Sequence, residues 1–163
     1  LVPNLGVVRS HDQEFVIADI PGLIEGAHEG HGLGTRFLGH VERTKVLLHV
    51  IDATQDDIVG AYKTIRGELK AYGQGLAKKP EVIVLNKCDA IGPELAEDQR
   101  QILAKATRKK VYTMSAATHQ GTEEVLALVW DHVRKGREKE AKAAEGPAHD
   151  GYIAPADMTF EEE

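Results

Sequence analysis

The chain has 163 residues, of which 42% are hydrophobic and 28% are charged, which suits one domain with a buried core. Its net charge of −6 gives no general attraction to nucleic acid, although a local basic surface would still allow such a contact. The single cysteine, Cys88, excludes an internal disulfide and is typical of a reducing cytosol. No apolar run approaches the roughly 18 residues that span a bilayer, and no signal-peptide pattern is present. Because the chain begins with Leu1 rather than Met, we expect it to be a piece of a longer protein.

The first half of the chain predicts a hairpin, a glycine-rich loop and a buried strand. Short apolar runs at 7–9 and 15–20 lie on either side of a polar turn, which favours an antiparallel hairpin. Glycines are frequent from residue 22 to residue 34, and helical spacing follows over 35–44. Residues 46–51 are apolar except for His49, as expected of a strand covered on both faces. We therefore expect His49, in the middle of this strand, to be a hydrogen-bonded core residue rather than a catalyst.

The second half alternates between predicted helices and predicted strands. Helical spacing or start signals indicate helices over about 57–73, 93–107 and 122–142, and apolar runs indicate strands at 82–86 and 111–115. This alternation predicts an α/β fold, a doubly wound and mostly parallel sheet with helices on both faces. We expect the opening hairpin to form an antiparallel edge of that sheet.

The composition changes near the end of the last predicted helix. Alanine, glycine, proline and acidic residues dominate the remainder, which is typical of a linker or tail. We therefore expect a domain over residues 1–142 and an acidic linker or tail over 143–163.

A carboxylate and a glycine follow the second predicted strand. Asp19 ends the apolar run, and Gly22 comes three residues later. In nucleoside triphosphatases such a carboxylate holds the Mg²⁺ shell, and such a glycine lets its N–H approach the γ-phosphate. Leu23 stands where many GTPases have a glutamine that orients the attacking water, so any hydrolysis should be slow. The alternative is that Leu23 only anchors the loop on the core.

A second polar group follows the strand at 82–86. Asp89 could accept the N1–H and N2–H₂ donors of guanine in bidentate fashion, whereas adenine has an acceptor at N1 and no N2 amine. The amide of Asn86 could bind N7 and join neighbouring loops, and the stem of Lys87 could lie over the base. A polar turn after a strand is common, so this pattern by itself favours neither interpretation.

A third loop follows the strand at 111–115. Ser115, Ala116 and Ala117 are small, which would let their backbone N–H groups approach the guanine O6. This tripeptide has almost no specificity alone. Three loops at the carboxyl ends of predicted strands nevertheless match the place where open α/β sheets bind ligands. Together they predict a site for a guanine nucleotide and Mg²⁺.

No G-x-x-x-x-G-K-[ST] sequence occurs in the 163 residues. That loop normally cradles the α- and β-phosphates on a helix N-terminus. Two functions therefore stay open: a guanine nucleotide triphosphatase, or a non-catalytic remnant that binds a partner protein and no nucleotide. Asp89 disfavours an adenine-specific ATPase.

The segment from Asp19 to Gly34 closely resembles the signature of the Obg subfamily of translation-factor-class GTPases. Segments 1–8 and 36–44 resemble the same family, and the resemblance covers about residues 1–140. It implies a P-loop GTPase fold and slow, Mg²⁺-dependent GTP hydrolysis in the cytoplasm. It also implies GTP and GDP as ligands, and a role with the large ribosomal subunit in its maturation and in the stress response.

The resemblance assigns roles residue by residue. It implies that Asp19 holds Mg²⁺ through water, and Leu23 agrees with family members that carry a hydrophobic residue in place of the glutamine. Switch I would end at the start of this chain. The GTP-binding residues that the resemblance implies are Leu1, Val2, Asp19, Ile20, Pro21, Gly22, Asn86, Lys87, Cys88, Asp89, Ser115, Ala116 and Ala117.

The family's sheet has one further strand, which precedes the P-loop. It lies between the strands predicted here at 15–20 and 46–51. Without it, both neighbours lose a hydrogen-bonded partner and buried apolar area. We therefore expect either a longer natural protein or another chain that fills the gap.

Overall fold

The structure is a computed structural model that describes residues 4–10, 13–19, 43–73 and 75–144. Residues 35–42 of the helix predicted over 35–44 lie outside the described residues. Residues 145–163 of the predicted tail also lie outside them. The described elements, in chain order, are β1 (Leu5–Ser10), β2 (Gln13–Ala18), β3 (Leu47–Asp52), α1 (Ile58–Tyr72), a 3₁₀ turn (Leu76–Lys78), β4 (Glu81–Asn86), α2 (Cys88–Ile91), α3 (Pro93–Thr107), β5 (Val111–Thr113) and α4 (Thr122–Ala144).

The central sheet consists of three parallel strands in the order β3-β4-β5. On one face, Ile83 and Leu85 of β4 are fully buried and pack with residues of α1 and α3. On the other face, Val82 and Val84 pack with Val125 of α4. The predicted α/β fold with helices on both faces is therefore confirmed, because β4 is apolar on both of its faces and needs cover on each.

The hairpin is present but does not belong to the central sheet. β1 and β2 pair antiparallel as predicted, with Val8 opposite Phe15, and form a separate two-stranded sheet. The prediction that they form an edge of the parallel sheet was wrong. The hairpin is attached by packing, since Phe15 is buried against Val129 and stacks on Trp130 with ring centroids 6.3 Å apart.

A cleft of about 820 Å³ separates the hairpin from β3. Its walls include Ile17 and Asp19 on the hairpin side and Leu47 and Val50 on the β3 side. Within the described residues β3 ends its sheet and pairs with β4 alone, and Val50 is 46% exposed. This gap lies where the family resemblance predicts a further strand, which explains why β2 and β3 are not neighbours.

Two elements differ from the predicted ones near the carboxyl ends of the strands. β5 ends at Thr113, before the predicted end at residue 115, because Ser115 leaves the ladder and pairs with Gln120 instead. The short helix α2 was not predicted, since four residues are too few to show a helical period.

A buried carboxylate joins the strands to α1 at the opposite end of the sheet. The Glu81 side chain is fully buried, and it lies 3.0 Å from Nδ1 of His49 and accepts a hydrogen bond of 2.7 Å from Nζ of Lys109. The Tyr62 hydroxyl donates to it at 3.3 Å, and the Arg66 guanidinium lies 3.7 Å away. The prediction that His49 is a hydrogen-bonded core residue is confirmed.

These partners control the ionisation of Glu81. Burial alone would raise the pKa of Glu81, but the hydrogen bonds to His49 and Lys109 outweigh it and hold the pKa at about 2. The nearby charges of Lys109 and Arg66 act in the same direction as the hydrogen bonds. Glu81 is therefore the charged centre of this network, and its loss would leave the Lys109 ammonium without its acceptor and the Arg66 guanidinium without its neighbouring counter-charge.

No helix within the described part of the chain has the length and apolar character needed to cross a membrane.

Candidate nucleotide-binding site

The loops that follow β4 and β5 meet at the carboxyl edge of the sheet. The Ala116 N–H donates a hydrogen bond of 2.9 Å to Oδ1 of Asn86. Backbone bonds support this contact, because Met114 N–H donates to the Leu85 carbonyl at 2.8 Å and Cys88 N–H donates to the Met114 carbonyl at 3.3 Å. The structure thus brings together two of the predicted loops, and Asn86 joins them through its side chain as expected.

The chain turns sharply between Asn86 and Asp89. Lys87 has a φ of 66°, a left-handed conformation that is uncommon for residues other than glycine. Helix α2 starts directly afterwards, and it places Asp89 in its first turn with an exposed side chain. Cys88 is half-buried, its thiol donates to the Leu85 carbonyl at 3.4 Å, and burial raises its pKa. The turn therefore presents the Asp89 carboxylate at the surface while Cys88 anchors it.

The loop after β5 is stabilised from within. Ser115 is 1% exposed, and its hydroxyl accepts a hydrogen bond of 3.1 Å from the Thr118 N–H. The Ser115 N–H donates to the Gln120 carbonyl at 2.9 Å. Gly121 has a φ of 73°, and a Cβ there would lie 2.6 Å from the Thr113 carbonyl oxygen, so only glycine fits. These contacts hold Ala116 and Ala117 exposed on the outside of the turn.

An ion pair between Lys87 and Asp52, which was not predicted from the sequence, connects this site to β3. Nζ of Lys87 donates a hydrogen bond of 2.6 Å to Oδ2 of Asp52. The other carboxylate oxygen of Asp52 accepts from the N–H of Thr54 at 2.9 Å and from its hydroxyl at 2.7 Å. The hydrogen bonds from Lys87 and Thr54 lower the pKa of Asp52 to about 2. The position of Asp52 at the end of an apolar strand was the only sign of this ion pair in the sequence. It did not indicate that the partner would be Lys87, 35 residues away.

Asp19 lies at the end of β2, and its side chain is exposed. Its N–H donates to the Asn4 carbonyl at 2.9 Å, which extends the hairpin by one hydrogen bond. No cluster of three or more metal-ligating side chains occurs in the described ranges.

The remaining predicted site residues lie outside the described residues, so the structure does not place them. They are Leu1, Val2, Ile20, Pro21, Gly22 and Leu23.

A parallel α/β sheet with polar loops at the carboxyl ends of β4 and β5 has the architecture of nucleotide-binding domains, a class that includes GTPase domains. A solved crystal structure described as nucleolar GTP-binding protein 1 from Plasmodium falciparum has this fold, with a TM-score of 0.52 and 17% sequence identity. The match covers 86% of this chain and 75% of that one.

Sequence comparison identifies the family within this class. The family model described as 50S ribosome-binding GTPase matches residues 1–87. A curated GTPase Obg from Acidiphilium cryptum is 57% identical over 139 residues, which is 85% of this chain and 42% of that protein. The chain belongs to the family of 50S ribosome-binding GTPases and is of the Obg type. It spans less than half the length of this curated relative.

Proposed function

We propose that this chain supplies guanine recognition to a protein that binds GTP and GDP and hydrolyses GTP slowly. The observation that carries the proposal is the hydrogen bond between Ala116 and Asn86, which joins two base-contacting loops beside the exposed carboxylate of Asp89. A plain polar turn after β4 would not require this contact with the loop after β5.

Each residue has a chemical task in the proposed site. Asp89 accepts the two donors on one edge of guanine, and Asn86 contacts N7 while it holds the neighbouring loop. The stem of Lys87 covers the base. In the loop at Ser115, Ala116 and Ala117, the Ser115 N–H already donates to the Gln120 carbonyl and the Ala116 N–H to Asn86, so the Ala117 N–H is the donor proposed for O6. Cys88 stabilises the turn from below through its contact with the Leu85 carbonyl.

The phosphate side of the site is proposed from the sequence. Bound Mg²⁺ would neutralise charge on the phosphates, and Asp19 would hold one of its waters. Gly22 would direct its N–H to the γ-phosphate, with Ile20 and Pro21 shaping the same segment. Leu1 and Val2 would close over the nucleotide from the end of switch I.

The biological setting is part of the same proposal. The description of the family, a GTPase that binds the 50S ribosome, supports the large ribosomal subunit as the partner. We propose action in the cytoplasm, in subunit maturation and stress response. We also propose that residues 1–142 form the domain and 143–163 form an acidic linker or tail.

A second candidate is a non-catalytic module that binds a partner protein. One observation favours it: a cleft separates β2 from β3, and Val50 on its β3 wall is exposed. The residues from Asn86 to Asp89, together with the 57% identity to a curated GTPase Obg, favour the first candidate.

The guanine assignment is tested by the substitution Asp89→Asn in a longer version of the protein that includes the P-loop. The amide can donate to one edge position where the carboxylate only accepts, so preference should move from GTP toward XTP. Loss of one charged hydrogen bond should weaken GTP binding by about 1.5–3 kcal/mol. Competitive binding of GTP and XTP measures both effects. Glu97→Gln, which changes an exposed carboxylate on α3, is the control. Unchanged selectivity would refute the assignment.

The rate of hydrolysis tests the role of Leu23. A leucine cannot orient the attacking water, so the same longer version should hydrolyse GTP well below the ~1–100 s⁻¹ that is typical of kinases. Single-turnover hydrolysis, with and without large ribosomal subunits, gives the rate. Fast turnover by the protein alone would contradict the proposal.

A further inference from the structure

Lys87 is held in place before any base reaches it. Its ammonium bonds to Asp52 at 2.6 Å, while its side chain stays 58% exposed. The ion pair joins the ends of two adjacent strands, since Asp52 and Asn86 are paired residues in the β3-β4 ladder. The Ala53 N–H also donates to the Asn86 carbonyl at 2.9 Å, so backbone hydrogen bonds join the two strand ends beside the ion pair.

Asp52 is a fixed acceptor rather than a mobile surface carboxylate. One of its oxygens is occupied by two hydrogen bonds from Thr54, which leaves the other oxygen for Lys87. Its side chain is 27% exposed, less than half the exposure of the lysine. The carboxylate is therefore oriented by β3 and its turn, and the lysine is oriented by the carboxylate.

The ion pair matters more for position than for stability. Exposed ion pairs contribute little to folding, because water and salt screen the charges. A long side chain loses rotamer freedom when it becomes ordered at a binding site, and that loss opposes binding. A lysine whose ammonium is already fixed loses less freedom, so its exposed methylene groups can pack on a ring with little further ordering.

We propose that Asp52 is a positioning residue of the guanine site, which fixes the ammonium of Lys87 so that its stem lies ready against the face of the base. This inference rests on the proposed function, since it assumes that a base binds beside Asn86 and Asp89. It assigns to the end of β3 a part in nucleotide binding, although Asp52 itself need not touch the nucleotide.

A double-mutant cycle tests the proposal, with GDP as the probe and the longer, P-loop-containing version as the protein. Asp52→Asn should weaken GDP binding about two- to tenfold, as expected from ordering one long side chain. Lys87→Met should also weaken it. Asp52→Asn added to Lys87→Met should change nothing more, because Asp52 acts through the lysine.

Two further measurements separate positioning from a general structural effect. Asp52→Glu should recover part of the affinity, since it keeps a carboxylate for the lysine. NMR of the Lys87 side chain without nucleotide should show an ordered ammonium in the wild type and a mobile one in Asp52→Asn. Glu97→Gln removes an exposed carboxylate that pairs with Arg100 on α3, and it should change neither GDP affinity nor the Lys87 signal.

The outcomes are distinct for the two proposals. Failure of the wild-type longer version to bind GDP would overturn the proposed function. Normal GDP binding by the wild type with equal affinity in Asp52→Asn would overturn the positioning role alone. Additive losses in the double mutant would overturn it as well, because Asp52 would then act independently of Lys87.

Discussion

The 163-residue chain by itself is expected to bind GTP at least about a hundredfold more weakly than a longer version that includes the P-loop, and not to hydrolyse it. The P-loop supplies backbone amides and a lysine to the phosphates, and charged hydrogen bonds contribute about 1.5–3 kcal/mol each. Two such bonds account for the expected loss. Without Mg²⁺, the Asp19 carboxylate would also repel the triphosphate.

The cleft between the hairpin and β3 adds to this effect. The strand that leads into the P-loop would pair with β2 and β3 at that place and would cover Val50, which is 46% exposed on the wall of the cleft. Isothermal titration of both versions with GTP and Mg²⁺ gives the two affinities. Guanosine is the control ligand. Because it lacks phosphates, its affinities for the two versions should differ much less than those of GTP. Comparable GTP affinity would mean that this chain contains a phosphate site of a different kind.

Glu81→Gln is expected to lower the free energy of unfolding by about 1.5–3 kcal/mol at pH 7, because the charged hydrogen bonds to a buried carboxylate are lost while Lys109, which is partly exposed, can regain water. The substitution keeps the size of the side chain but removes the charge on which Lys109 and Arg66 converge. Urea unfolding measures the change. Glu97→Gln is the matched control, since Glu97 pairs with Arg100 at the surface, where water screens the charges, and its loss should change stability far less.

The effect of Glu81 should depend on pH. Its pKa is held at about 2 in the folded chain, against an ordinary value of 4.5. A carboxylate with a depressed pKa stabilises the fold above its unfolded pKa, and this contribution is lost as the pH falls toward the folded value. The difference between wild type and Glu81→Gln should therefore shrink from about pH 5 down to pH 2. An equal difference at pH 7 and pH 3, or a cost no greater than that of Glu97→Gln, would contradict this interpretation.

The order and type of the elements were largely accessible from the sequence. Apolar runs predicted β3 and β4, because strands covered on both faces need no polar side chains. Helical periodicity and Pro93 predicted α3, and periodicity alone predicted α4 to within two residues of its observed end at Ala144. These are local properties, so a local pattern suffices to predict them.

Contacts between distant residues were not accessible in the same way. The burial of His49 could be predicted from its strand, but its contact with Glu81 depends on the β3-β4 register and the position of α1. The ion pair between Asp52 and Lys87 likewise needs two strand ends to be neighbours. Nothing in either local sequence specifies the other partner.

The sequence by itself determined the α/β class, the Obg resemblance and the identity of the polar residues after β4 and β5, since strand periodicity and motif spacing are properties of consecutive residues. The sequence also predicted that Asn86 joins neighbouring loops, but the tertiary structure alone decided that its partner is the Ala116 N–H and that the hairpin forms its own sheet. Both depend on which strands become neighbours. Strand β4 is placed by apolar packing on both of its faces. The hairpin is placed by the packing of Phe15 against α4, which leaves a cleft between β2 and β3.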